Sequence, residues 1–250
     1  MDFVGAGTAL NVTPVLVGAL AGMAIGGRLP DATREVVTDC LGLVTLLMAG
    51  LSVMDVLSPA LASAVGTSAP VLIVLGALLI GSIAGSLLGI ERRLGTLAGT
   101  VQGYLGRGRE DAAARERFIE GWLTASLLFC VGPLTILGTL DDGLGRGIDK
   151  LALKSALDGF AALAFASTFG IGVLMSAVSV AVVQGLLTLV GVLVGSVLPE
   201  AYIAALTATG GLILVGISLR LLRIRQIPVG DMLPGLVIAP LLTQLVVVLG

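Results

Sequence analysis

Apolar residues run along this chain in stretches of about twenty, each closed by a charge, a proline or a glycine-rich turn. Taken between charges, they cover approximately residues 6–27, 36–56, 70–90, 119–139, 153–174, 178–197, 203–222 and 232–249. A helix needs about 20 apolar residues to cross a hydrocarbon core of roughly 30 Å, so the pattern predicts eight transmembrane helices. Spans five and six are divided only by Ser176 and Ser179, read as a tight turn. Outer-membrane barrels alternate apolar and polar positions over strands of about ten residues, and these continuous runs do not. The expected fold is all-α: a polytopic membrane helix bundle forming a single domain over residues 1–250.

Composition narrows the function classes. Of the 250 residues, 56% are hydrophobic and 12% charged, and the mean hydropathy is +1.10. Soluble domains carry about 25% charged residues, so a large soluble catalytic domain is excluded. The 36 glycines suit helices that approach backbone to backbone, because lipid supplies no hydrophobic drive for their association. Histidine is absent, which excludes imidazole metal sites and histidine acid–base catalysis. Cys40 and Cys130 lie in separate apolar runs without metal-ligand spacing. No P-loop, nucleophile elbow, zincin motif or dinucleotide fingerprint is present, so neither an enzyme nor an ATP-driven pump is expected, and no cofactor.

Basic residues set the expected orientation. Arg28, Arg34, Arg92, Arg93, Arg107, Arg109, Arg115, Arg117, Arg220, Arg223 and Arg225 fall on one side of an eight-span topology. Arg146, Lys150 and Lys154 fall on the other, beside Asp141, Asp142 and Asp149. The positive-inside rule puts the first group in the cytoplasm and both termini outside. The arginines form a belt flanking the spans, so nucleic acid is not an expected partner. Asp2 precedes span one without a basic segment, so a cleaved signal peptide is not expected. Residues 94–117 form the one long polar connection, read as a cytoplasmic linker with room for an interfacial helix around 110–117.

The chain also resembles itself. Gly22, Gly26, Leu29, Pro30 and Gly42 recur 169 positions later as Gly191, Gly195, Leu198, Pro199 and Gly211. At an offset of 38, Glu120-Gly121-Trp122 matches Asp158-Gly159-Phe160, and Gly132 matches Gly170. These relations pair 6–56 with 178–222 and 119–139 with 153–174. Paired spans cross the membrane in opposite directions, so the repeats are inverted and circularly permuted, an organisation used by secondary transporters. Gly-rich apolar helices also resemble one another by composition alone, and that explanation stays open.

Intramembrane polar groups mark candidate chemistry. A carboxylate near a helix centre costs about 2.5–3.5 kcal/mol on insertion scales, which singles out Glu120 and Asp158. Both also have a structural explanation: Glu120 as a helix cap, Asp158 as the i, i+4 partner of Lys154. Gly132 and Pro133 interrupt span four, and Gly170 and Gly172 are expected to interrupt span five, as helix breaks that free backbone carbonyls and act as gates. Each acid lies twelve residues from its glycine, a rise of about 18 Å that places the glycines near the midplane and each acid toward its own leaflet. Thr124, Ser126, Ser167 and Thr168 supply hydroxyls nearby, each equally able to bond its own helix. Asn11 and Gln184 are buried-amide candidates, lining a pathway or bonding a neighbouring helix. Asp39, Asp55 and Asp231 sit at span ends and need no special role.

The segments GTALNVTPVLVGALAG, ERFIEGWLTASLLFCVGPLTILGTLDDGL, KSALDGFAALAFASTFGIGVLMSA and LPGL resemble the YqgA/YdfK-like bacterial membrane proteins. That resemblance implies an inner-membrane protein and specifies no substrate. Leu157-Asp158-Gly159-Phe160 and the run from Gly210 to Ile217 are more loosely similar to manganese-exporter-like and lysine-exporter-like proteins, although Glu120 stands where a second Asp belongs. The expected function is a secondary transporter of a cation or small polar solute, working by alternating access. A membrane scaffold or partner subunit and a passive channel are the alternatives. The expected partners are the bilayer and the solute, with self-association and any metal specificity left open.

Overall fold

The computed structural model describes residues 4–26, 30–104, 112–130, 133–194 and 199–249. In chain order the elements are α1 (Ala6–Gly26), α2 (Asp31–Val53) continued by a tight helical turn (Met54–Leu57), α3 (Pro59–Val65), α4 (Ala69–Leu88), α5 (Ile90–Tyr104), α6 (Ala112–Cys130), α7 (Pro133–Gly143), α8 (Asp149–Phe169), α9 (Ile171–Val194), α10 (Glu200–Leu221), α11 (Val229–Met232) and α12 (Pro234–Leu249). Among the described residues there is no strand. Proline punctuates the starts: Pro59, Pro133 and Pro234 open their helices and Pro70 lies in the first turn of α4, where a missing N–H costs nothing. Gly89 ends α4 in the left-handed conformation with φ 60°.

Six described helices are long and apolar enough to cross a membrane, and α6 with α7, bent by 61° at their break, passes the same test only if the two are taken together as one broken span. The expected eighth, α8, has 21 residues and so the length to span, but it carries Asp149, Lys150, Lys154 and Asp158 and is not among the six. Large apolar side chains face outward, such as Leu43 and Leu47 on α2 and Leu72 and Leu87 on α4, a surface suited to lipid rather than water. The long connection contains more helix than expected: α5 covers 90–104, and α6 already begins at Ala112. The largest difference lies between spans five and six. They divide at Gly170, whose φ of 62° turns the chain in a single residue, and Ser176 and Ser179 lie well inside α9. Gly170 and Gly172 are therefore at a helix–helix turn, not in the middle of a span.

The described residues group into two compact units. The first draws on 1–41 and 97–197, with α1, α6, α7, α8 and α9; the second draws on 42–96 and 198–250, with α4, α10, α12 and most of α2. Each unit therefore takes helices from both halves of the chain.

Glycine contacts order the first unit. A Cβ added at Gly18, Gly22 or Gly26 of α1 would collide with the carbonyl oxygen of Gly159, Leu163 or Ser167 of α8. Residue numbers rise together, so the two helices run parallel with their backbones in contact. Likewise Gly172 of α9 lies on the Phe118 carbonyl of α6, and Gly143 of α7 on the Thr188 carbonyl of α9, so α9 runs parallel to the bent α6–α7 pair. Thr8 of α1 meets Thr188 near the end of α9, making α1 and α9 antiparallel. Asp142, at the end of α7, faces the backbone amides of Gly5, Gly7 and Thr8. It supplies the negative charge that α1 lacks in its own first turn.

In the second unit α10 is the central helix, buried along most of its length. Ala201, Ala204 and Ala205 pack with Leu61, Ile73, Ala77 and Ala239 in a core built from small residues. Gly81 and Gly85 of α4 rest on the backbone of Gly235 and Asp231, with α4 and α12 antiparallel. Gly42 of α2 abuts Leu222 beyond α10, while Gly211 of α10 abuts Val53 of α2. The helix ends are joined by reciprocal capping. Gly230 N donates to Glu91 Oε2 at 2.6 Å, and Glu91 N donates to Asp231 Oδ1 at 2.9 Å. Arg220 completes the clasp, donating to Glu91 Oε1 at 2.8 Å and to the Ile227 carbonyl at 3.2 Å.

Two outcomes follow for stability. Gly18→Ala and Gly22→Ala should each lower the melting temperature of purified protein in detergent, since overpacking costs about 1–3 kcal/mol. Gly50→Ala and Gly185→Ala, where an added Cβ meets nothing within 4 Å, should leave it in place. In the clasp, Glu91→Gln and Arg220→Gln should each destabilise by about 1–3 kcal/mol, the range for charged hydrogen bonds. The double variant should lose less than the sum, as a double-mutant cycle in the same melting assay will read.

Candidate functional site

The candidate site grows from the α1–α8 backbone contact. Pro14 of α1 sits against Gly159 of α8, where any larger residue would hold the helices apart. That approach brings Asn11, three residues before Pro14, to Asp158, and Asn11 Nδ2 donates to Asp158 Oδ2 at 3.0 Å. One turn before Asp158 on α8, Lys154 Nζ donates to Asp158 Oδ1 at 2.8 Å and Oδ2 at 2.6 Å. Each side chain of this ion pair is only 8% exposed. Asp158 is the tenth of 21 residues in α8, about 14 Å of rise from one end and about 16 Å from the other. A salt bridge is thus buried at the middle of a helix of membrane-spanning length.

The break between α6 and α7 lies beside it. α6 ends at Cys130 and α7 begins at Pro133; Gly132 lies outside the described residues. The Cys130 thiol is within electrostatic reach of both Lys154 and Asp158. Thr135 Oγ1 donates to the Phe129 carbonyl at 3.1 Å, so a side chain from α7 satisfies a carbonyl that the end of α6 leaves without a helical partner. The fully buried Gln184 lies on α9 one turn before Thr188.

The predicted residues are not all gathered here. Glu120 is half-buried on α6 beside Gly121, which packs on Phe169, the last residue of α8. It therefore lies about 16 Å from Asp158 along the helix axis. Asp158, expected toward one leaflet, is instead near the middle of its helix, because Gly170 ends that helix rather than interrupting it. Gly172 serves packing, its backbone pressed on Phe118. Ser167 donates to its own helix at Ala164, whereas Ser126 and Thr168 carry buried hydroxyl oxygens without partners among the described residues. Phe160 points outward and is 77% exposed, while Trp122, its counterpart at offset 38, donates to Ser179 at 2.9 Å.

Two residues enter that sequence reasoning passed over. From sequence, Cys130 reads only as a candidate metal or disulfide partner, and Asp142 only as a loop acid. Their position before a proline and in an acidic pair at a span end was the available signal. Among the described residues no group of three or more His, Cys, Asp or Glu side chains is placed to hold a metal ion.

Comparison with known proteins agrees with a membrane-type helical chain. The uncharacterized protein YqgA of Escherichia coli K12 is 29% identical over 233 residues, covering 93% of this chain and 94% of the relative. The uncharacterized membrane protein YdfK of Bacillus subtilis 168 is 25% identical over 234 residues, covering 94% and 93%. No solved structure gives a significant match. A family model described as a protein of unknown function, DUF554, matches residues 6–244, and the chain belongs to that family.

Proposed function

We propose that the protein is a secondary transporter of a cation or small polar solute, working by alternating access in the bacterial cytoplasmic membrane. The observation that carries this reading is the Lys154–Asp158 pair, buried at mid-helix, bonded to Asn11 and set beside the α6–α7 break. Ionisable groups at such depth are costly, and a pure packing role is better served by apolar residues. Broken helices next to charges offer carbonyls and helix ends to a solute in many carriers. Glu120, at another level of the first unit, is assigned to the entrance.

The inverted-repeat reading has support of its own. Under the 169-residue relation, α1 pairs with α9 inside the first unit and α2 with α10 inside the second. Gly42 on Leu222 and Gly211 on Val53 are contacts that this relation exchanges. Within each unit the helix directions fit spans of alternating sense, and the positive-inside rule then assigns the arginine-rich loops to the cytoplasm. In a background of Cys40→Ser and Cys130→Ala, a membrane-impermeant maleimide should label Gly145→Cys in intact cells. Arg225→Cys should label only after permeabilisation; the reverse pattern inverts the topology.

Reconstituted vesicles test the transport reading. Asp158→Asn should abolish solute flux and also lower stability by about 3–5 kcal/mol, because Lys154 is left as an unpaired buried charge. Lys154→Met with Asp158→Leu removes both charges at similar volume and should restore stability without flux. Normal flux through the double variant would remove the pair from any transport role.

A further inference from the structure

Gln184 is fully buried, and among the described residues neither its Nε2 nor its Oε1 has a hydrogen-bond partner. Asn11 uses Nδ2 on Asp158, but its Oδ1 is buried and unpartnered as well. Buried amide atoms without a protein partner are a costly arrangement that invites a ligand. The two amides share one seam. Thr8 and Thr188 meet hydroxyl to hydroxyl at 3.3 Å across antiparallel α1 and α9. Asn11 follows Thr8 by three residues and Gln184 precedes Thr188 by four, so both lie one turn farther along the same helix faces. The bond from Asn11 to Asp158 sets this amide pair against the ion pair.

The ion pair restricts what the amides can help to bind. A lone cation taken by Asp158 strands the Lys154 ammonium, and a lone anion taken by Lys154 strands the Asp158 carboxylate. A buried charge without its partner is heavily penalised. Among the described residues neither α1 nor α9 offers a titratable group to compensate, α6 brings only Cys130 within reach, and Asp142 of α7 is engaged by the backbone amides at the start of α1. A ligand carrying both signs gives each half of the pair its complement.

We infer that the site takes a small zwitterion, its anionic group on Lys154, its cationic group on Asp158 and its other polar atoms on Gln184 and Asn11 Oδ1. This deepens the transporter reading by naming the substrate class, and it rests on that reading for the place of the site.

Titration calorimetry on the purified full-length protein in detergent tests it. The probes are glycine, L-alanine, β-alanine and glycine betaine, set against methylammonium and acetate as the separate halves, and against Na+ and Mn2+. At least one zwitterion should bind about tenfold or more tighter than either half. Gln184→Leu should weaken that binding about tenfold while leaving the melting temperature unchanged or higher, because it removes an unsatisfied buried amide. Silence from all four zwitterions, tighter binding of Na+ or Mn2+, or unaltered affinity in Gln184→Leu would each overturn the inference. Flux in vesicles separates it from the transport reading. Cation uptake without zwitterion binding keeps a carrier and discards the zwitterion; zwitterion binding without any flux keeps the site and discards the carrier.

Discussion

Backbone-to-backbone contact between α1 and α8 is the constraint on which the site depends. Gly18, Gly22 and Gly26 leave no side chain between the helices, and Pro14 settles on Gly159. Only at that separation does the short Asn11 side chain reach Asp158. The ion pair then has a third partner from a helix 147 positions away in sequence. Without that partner the pair would be a local i, i+4 bridge, worth little beyond its own helix. The glycines thus convert a local feature of α8 into a tertiary site.

This arrangement explains which parts were legible in the sequence. The apolar runs located the helices closely: 6–27 became Ala6–Gly26, and 70–90 became Ala69–Leu88. The break in span four was legible because a glycine followed by a proline, which lacks a backbone donor, favours interrupting a helix. The Lys154–Asp158 pair was legible because its spacing is local. The boundary at Gly170 was not, because a single-residue turn needs no polar loop, and glycine reads the same in a turn as in a packed helix. Asn11 could be recognised as a buried amide, but its partner could not, since that contact depends on how α1 and α8 dock. Asp142 escaped for the same reason: its acidic pair at a span end marks the position but not the helix whose amino end it serves.

The offset-38 relation shows how far sequence similarity and geometry diverge. Glu120 and Asp158 share a context of Gly and an aromatic residue, yet one sits level with the end of α8 and the other at its middle. Their helices differ in kind. α8 is continuous over 21 residues, whereas its counterpart is split into α6 and α7 with a sharp bend. A similar motif on a straight and on a bent helix delivers its acid to different depths. The 169-residue relation joins helices of similar length and continuity, and there the glycine contacts match in kind.

The bend between α6 and α7 has a mechanical consequence. One arm is fastened to the end of α8 through Gly121 and to α9 through Gly172, and the other arm to α9 through Gly143 and Gly191. This second arm is also moored to α1 by Asp142. A joint anchored on both sides behaves as a strut: neither arm can swing without tearing a glycine seam open. Movement of either arm therefore loads the helices on which its glycines rest, α8 and α9.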